Sequence, residues 1–498
     1  MLFNSLGFFI FFPIVTILYF LCPHHWRWIV LLAASCFFYM CFVPVYILIL
    51  ALTIGIDYWA AIKIEQSQGP KRKRILILSI LSTCLVLFVF KYFNFFNANM
   101  AGLAKFLGWN YPVGMLQLVL PIGLSFHTFQ SLSYVIEVYW GKFKAERHFG
   151  LYSLYVMFYP QLVAGPIERP QNLLPQLREK HHFEYVRVTD GLKRMAWGIF
   201  KKVVIADRLK AYVDIVYGNP HQYDGINFIV ATVFFSIQIF CDFSGYSDIA
   251  IGAAQVMGFR LMENFNRPYF SRSIAEFWRR WHISLMSWFR DYIYIPLGGN
   301  RVSVARWHWN VLTVFLISGL WHGANWTYVF WGVLNGVFVL AETLTKDFRG
   351  RIFRKSGLNA WPKLHAALEV GITFSLVSFA WIFFRAKSLS DAVYIVTHLF
   401  SGLGDLIVRA TAHGLSAQGV AEALRPMFLI FHKKEFMLMV SLILVLELIH
   451  YFQEHLSIRR LLNARPFWLR WSMYYIFVIG ILLLGVINSE NQFIYFQF

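Results

Sequence analysis

The chain has 498 residues, of which 58% are hydrophobic, 19% aromatic and only 14% charged. A soluble domain carries about 25% charged residues, and a larger core does not remove the need for a charged surface, so lipid must cover much of this molecule. The 45 basic and 26 acidic side chains give a net charge of +19. That excess sits in short clusters with no nucleic-acid recognition module, which argues against DNA or RNA as a partner and fits the positive-inside bias of membrane proteins.

In chain order, residues 1–22 are apolar, and the first basic residue is Arg27. Without a basic n-region or a small-x-small cleavage site, this segment reads as a retained first membrane helix rather than a secretory signal. Residues 29–56 carry no formal charge and include Pro44. Residues 28–62 as a whole are too long for one span, so two helices should meet at that proline, outside the membrane. Lys71, Arg72, Lys73 and Arg74 form a basic cluster that belongs in the cytoplasm, which puts the N-terminus outside. Residues 106–136 are again charge-free and give a further candidate span, followed by Lys142, Lys144 and Arg147 on the cytoplasmic side.

The middle of the chain is more polar. Between Gly191 and Asp207, Lys193, Arg194, Lys201 and Lys202 alternate with Met195, Trp197, Ile199 and Phe200, the pattern of a helix lying at the interface. Residues 271–300 mix Trp278, Trp281 and Trp288 with Arg279, Arg280 and Arg290, so this segment should be interfacial or re-entrant and covered by protein. Residues 225–241 and 307–341 are charge-free, and plain spans follow at about 366–384, 436–452 and 471–488, with a polar connector over 388–432. The predicted fold is all-α and polytopic, with roughly eleven spans plus interfacial or re-entrant helices. It forms one integral-membrane domain: N-terminal spans over 1–140, a core over 141–345 and C-terminal spans over 346–498. Cys22, Cys36, Cys41, Cys84 and Cys241 show no metal or redox spacing.

The run 307–341 is the most informative. Its 35 residues would make a single helix roughly 50 Å long against roughly 30 Å of hydrocarbon. It must tilt, overshoot or break, and the obvious break is Ser318-Gly319-Leu320-Trp321-His322-Gly323-Ala324-Asn325. A polar side chain at such a place is a functional candidate. His322 could act as a general base and Asn325, one helical turn on, could orient the ring or donate to an oxyanion; the spacing equally allows a packing histidine bonded to a carbonyl. His282 lies beside Arg279 and Arg280 and close to Trp278 and Trp281. Those arginines suit a phosphorylated donor, or else snorkel to headgroups. Asp242 and Asp248 flank Ser244 and could pair with Arg279 or Arg280 in a structural role, or less readily serve as a carboxylate pair for acid–base work. His127 is a further intramembrane imidazole, better read as packing. No Walker loop, dinucleotide fingerprint, GxSxG elbow or HExxH is present.

Six ordered segments carry a resemblance: 158–167 (FYPQLVAGPI), 242–248 (DFSGYSD), 264–269 (NFNRPY), 276–285 (EFWRRWHISL), 290–300 (RDYIYIPLGGN) and 319–326 (GLWHGANW). Together they resemble the membrane-bound O-acyltransferase family, in its bacterial branch of alginate and peptidoglycan O-acetyltransferases. The resemblance implies a tunnel through a bacterial cytoplasmic (inner) membrane, with His322 as the buried catalytic histidine and His282 as its companion. It implies no permanently bound cofactor and no metal; acetyl-coenzyme A would be the donor, its phosphates near Arg279, Arg280 and Arg301. It further implies an extracytoplasmic polysaccharide acceptor and a separate periplasmic partner of the SGNH-hydrolase type. Two rivals stand beside it: a D-alanyl transferase for teichoic acids fed by a carrier protein, and a membrane transporter. Against the transporter, no pair of matching broken segments recurs in two halves.

Overall fold

A computed structural model describes residues 1–357, 360–412, 424–456, 461, 464–486 and 493–494. Among these residues the regular structure is helical throughout. Seven helices are long and apolar enough to cross a membrane, and one shorter apolar helix opens the chain.

The opening pair is α1 (Leu6–Leu21), capped by the Ser5 hydroxyl, and α2 (His24–Met40). A short turn at Pro44–Tyr46 then starts α3 (Ile47–Gln66), so the proline breaks the long apolar stretch as the sequence predicts. Next, α4 (Gly69–Leu87) runs through a π turn at Phe88–Tyr92 into α5 (Phe93–Phe106), one continuous rod of 38 residues.

The charge-free run 106–136 does not form the predicted spanning helix. Residues 107–122 are irregular and mostly exposed, and α6 (Leu124–Tyr139) begins only after them. Pro112 and Pro121, with Gly108, Gly114 and Gly123, account for this: proline cannot donate to a helical ladder and glycine weakens one.

Helices α7 (Phe149–Met157) and α8 (Pro170–Arg178) lead to α9 (Tyr185–Ile199), which passes through a π segment at Phe200–Ala206 into α10 (Asp207–Gly218). Of these, α9, its π segment and α10 pack against α11 (Gly225–Met257), a 33-residue helix buried along nearly its whole length. Helices α9 and α11 meet at glycines: a Cβ on Gly198 would lie 2.5 Å from Gly245 O, and one on Gly191 2.8 Å from Gly252 O. Such close backbone approach is the usual device for packing helices in lipid, where apolar burial supplies no drive.

This contact corrects the interfacial reading of 191–207. Lys201 and Lys202 turn inward and are buried. The Lys201 ammonium donates to Ser244 Oγ (2.8 Å) and pairs with Asp248 (2.6 Å), which also holds Arg194 at 2.9 Å. Lys202 pairs with Asp207 (2.8 Å) and Asp242 (2.7 Å). The predicted partners of the two carboxylates, Arg279 and Arg280, lie elsewhere; Arg280 instead meets Glu276 and Glu454. Facing helices, not sequence distance, select the partners, because buried charges survive only when matched.

The chain continues with α12 (Ile274–Arg280), α13 (Ile283–Phe289), a π turn at Arg290–Tyr294, α14 (Val304–His322) and α15 (Trp326–Leu344). It ends with α16 (Lys346–Lys355), α17 (Pro362–Arg385), α18 (Leu389–Thr397), α19 (Leu403–Ala412), α20 (Lys433–His455) and α21 (Phe467–Leu484). The three C-terminal spans thus fall where hydropathy places them.

Candidate active site

Helices α14 and α15 form an antiparallel hairpin. A Cβ on Gly319 would sit 2.3 Å from Tyr328 O, and one on Gly332 2.3 Å from Phe315 O, so bare backbone lets the two legs touch. The charge-free run therefore breaks at the predicted place and reverses there. His322 is the last residue of α14, Gly323 is extended, and Asn325 is the N-cap of α15, its side chain accepting from Thr327 N–H at 3.0 Å. Because the helix ends at His322, Asn325 is not one helical turn further along the same face; it is exposed and serves as a cap.

The His322 side chain is buried, 4% exposed. Its ring stands edge-on to Trp331 of α15 (5.1 Å) and Phe384 of α17 (5.5 Å), and beside Trp321 (4.9 Å). The ring of Trp321 is also 6.0 Å from His282, so one indole borders both imidazoles. A small cavity of about 40 Å³ reaches His322, walled by Lys91, Pro121, Ser125, Phe126 and Trp321 among others.

His282 is 1% exposed and lies between α12 and α13 with left-handed backbone (φ 45°, ψ 52°). The strand-like stretch before residue 268 runs alongside: Ile283 N–H donates to Asn264 O and Asn266 N–H to Arg280 O, both at 2.9 Å. Asn264 Oδ1 accepts from Ser284 N–H (3.3 Å) and the Ser284 hydroxyl (3.0 Å), and lies 3.1 Å from His282 Nδ1. An oxygen that accepts from a backbone N–H is a carbonyl, so in the neutral ring Nδ1 carries the proton and Nε2 is the basic atom. Asn264 in turn donates to Ser247 Oγ (3.2 Å), tying this histidine to α11.

The other predicted residues divide. Trp278 and Trp281 are buried, packed on Trp331 (5.7 Å) and Trp381 (5.1 Å), and form the wall behind the histidines instead of an interfacial belt. Arg279 and Arg301 are exposed, while Arg280 is held by its two glutamates. Asp242, Ser244 and Asp248 belong to the ionic cluster that fixes α9 and its π segment against α11. His127 is buried on α6.

Sequence reasoning missed Lys91. Its ammonium donates to Trp321 O (2.6 Å) and His322 O (3.2 Å), while the neighbouring Tyr92 hydroxyl donates to Leu320 O (2.9 Å). A signal existed: Lys91 is the only charged residue between Ile75 and Ala104.

Comparison with known proteins shows which family the chain belongs to. Residues 148–386 match the family model for the membrane-bound O-acyltransferase family. A probable alginate O-acetylase, AlgI, of Pseudomonas aeruginosa is 39% identical, over 80% of this chain and 75% of the relative. The chain belongs to the membrane-bound O-acyltransferase family. A peptidoglycan O-acetyltransferase of Helicobacter pylori is 36% identical over 74% of this chain and 72% of its own length. A teichoic acid D-alanyltransferase of Bacillus subtilis is more distant, 26% identical over 53% of this chain and 69% of its own. This multi-pass acyltransferase therefore sits among enzymes of membrane O-acetylation.

Proposed function

We propose that the protein moves an acetyl group from cytoplasmic acetyl-coenzyme A to a hydroxyl of an extracytoplasmic polysaccharide such as alginate or peptidoglycan, from the inner membrane and with a periplasmic SGNH-type partner. The observation that carries the reading is His322: a buried histidine at a helix tip, bordering a cavity and sharing an indole with a second histidine. The greater identity to O-acetyltransferases than to the D-alanyltransferase favours acetyl over D-alanyl transfer.

In the proposed reaction His322 takes the acceptor hydroxyl proton as the oxygen attacks the thioester carbonyl. The tetrahedral intermediate collapses, the C–S bond breaks, and the thiolate recovers that proton, leaving an acetyl ester and a free thiol. His282, held as the Nδ1–H tautomer by Asn264, presents a basic Nε2 as the companion group. The aromatic wall excludes water that would otherwise hydrolyse the thioester. The exposed Arg279 and Arg301 are the residues assigned to the donor phosphates; Arg280 would have to leave its glutamates to join them.

The test is acetyl transfer from radiolabelled acetyl-coenzyme A in membranes, run beside D-alanyl carrier protein as donor. His322→Ala should insert normally and lose transfer by at least about 100-fold, the scale of a general base. Full activity in that variant, or activity only with the D-alanyl donor, would refute the assignment.

A further inference from the structure

Every α-helix ends with four carbonyls that lack partners within it. At the end of α14 all four are accounted for. Gly319 O accepts from Gly323 N–H at 3.2 Å and Leu320 O from the Tyr92 hydroxyl at 2.9 Å. Trp321 O and His322 O both accept from Lys91 Nζ, at 2.6 and 3.2 Å. The third contact of that ammonium is Ser125 Oγ, at 3.4 Å. An ammonium has three protons, so Lys91 spends all of them on protein and keeps none for a ligand.

Placing a cation in the interior of a membrane protein costs free energy, and such residues persist where they act. The position also uses a local irregularity: the π turn at Phe88–Tyr92 sets both Lys91 and Tyr92 toward the end of α14. A positive charge there meets the negative end of that helix. Lys91 and His322 border the same cavity.

We propose that Lys91, with Tyr92 beside it, forms a positioning clamp for acyl transfer, each of the two residues being needed to hold the last turn of α14 so that the His322 imidazole keeps its place. The inference rests on His322 being the base. Cutting the clamp frees the Trp321 and His322 carbonyls and lets the terminal turn fray, which misplaces the ring without touching the donor. Turnover should therefore suffer and donor affinity should not.

The experiment uses the full-length protein in nanodiscs, with labelled acetyl-coenzyme A as donor, and His322→Ala run in parallel. For Lys91→Met, kcat should fall about 100-fold, as for a misplacement near 1 Å, with KM for acetyl-coenzyme A unchanged. Wild-type kcat, or a raised KM with kcat intact, overturns the proposal while an inactive His322→Ala leaves the reading of the site standing. An active His322→Ala overturns both. Should Lys91→Met fail to fold, Tyr92→Phe removes one bond and keeps the charge. A kcat loss of about fivefold at constant KM and unfolding midpoint then supports positioning, and unchanged kcat overturns it.

Discussion

His282 holds a backbone conformation that costs an ordinary L-residue about 1–3 kcal/mol and persists only where the surroundings impose it. Here they do, through the bonds from residues 283 and 284 to Asn264. Asparagine enters the left-handed region more easily than most residues. His282→Asn should therefore keep the wild-type melting temperature and lose most acetyl transfer, whereas His282→Val should melt several degrees lower, as expected of a destabilisation of about 1–2 kcal/mol. A melting curve and a transfer assay on each variant separate ring chemistry from backbone strain; equal melting of the two would remove the strain argument. At this scale the sequence shows which residues are unusual for lipid, and His322 and His282 stand out for that reason. It does not show which residues meet. A lone Lys91 only makes a span look interrupted, and sequence separation does not choose between Arg279 or Arg280 and the cations that do pair with Asp242 and Asp248, which come from the π segment after α9 and from α9 itself.

Between elements, glycine governs the site. The legs of the α14–α15 hairpin are separated only by backbone at Gly319 and Gly332, and His322 is three residues beyond the first of these. Gly332→Ala would drive a methyl to 2.3 Å from Phe315 O, a rigid backbone atom, and should destabilise the fold by about 1–3 kcal/mol. Gly371→Ala on α17, where nothing lies within 4 Å of the new methyl, should be neutral or mildly stabilising. Thermal unfolding of the two variants checks the contrast, and indistinguishable curves would argue against a close-packed hairpin. The break itself was legible, since 35 residues exceed one upright crossing and the two glycines with His322 and Asn325 mark where the run gives way. That it is a reversal was not, because a kink and a turn share the same glycines. The loop at 107–122 is hidden for a related reason: absence of charge signals lipid or burial, and only the prolines and glycines there speak against a helix.

For the whole molecule, the hairpin tip lies near the far end of the long N-terminal rod, where the Trp326 indole donates to Asn99 at 2.9 Å, seven residues before α5 ends. Arg301 and Lys346, just outside the two legs, should then share one compartment, and Asn110, in the loop after α5, the other. Single cysteines from Arg301→Cys, Lys346→Cys and Asn110→Cys, in a chain freed of its five native cysteines, can be tested with an impermeant maleimide on intact cells. The first two should label only after permeabilisation and the third before it. Opposite behaviour of residues 301 and 346 would exclude the hairpin.

That reversal has a consequence for sidedness, because compartments alternate with each passage through lipid. Taken as one crossing, the stretch 307–341 would send everything after it to the opposite compartment. Taken as an excursion that returns, it leaves the parity unchanged. The three residues between His322 and Trp326 thus decide on which side of the membrane the remaining 153 residues begin, 346–498 inclusive.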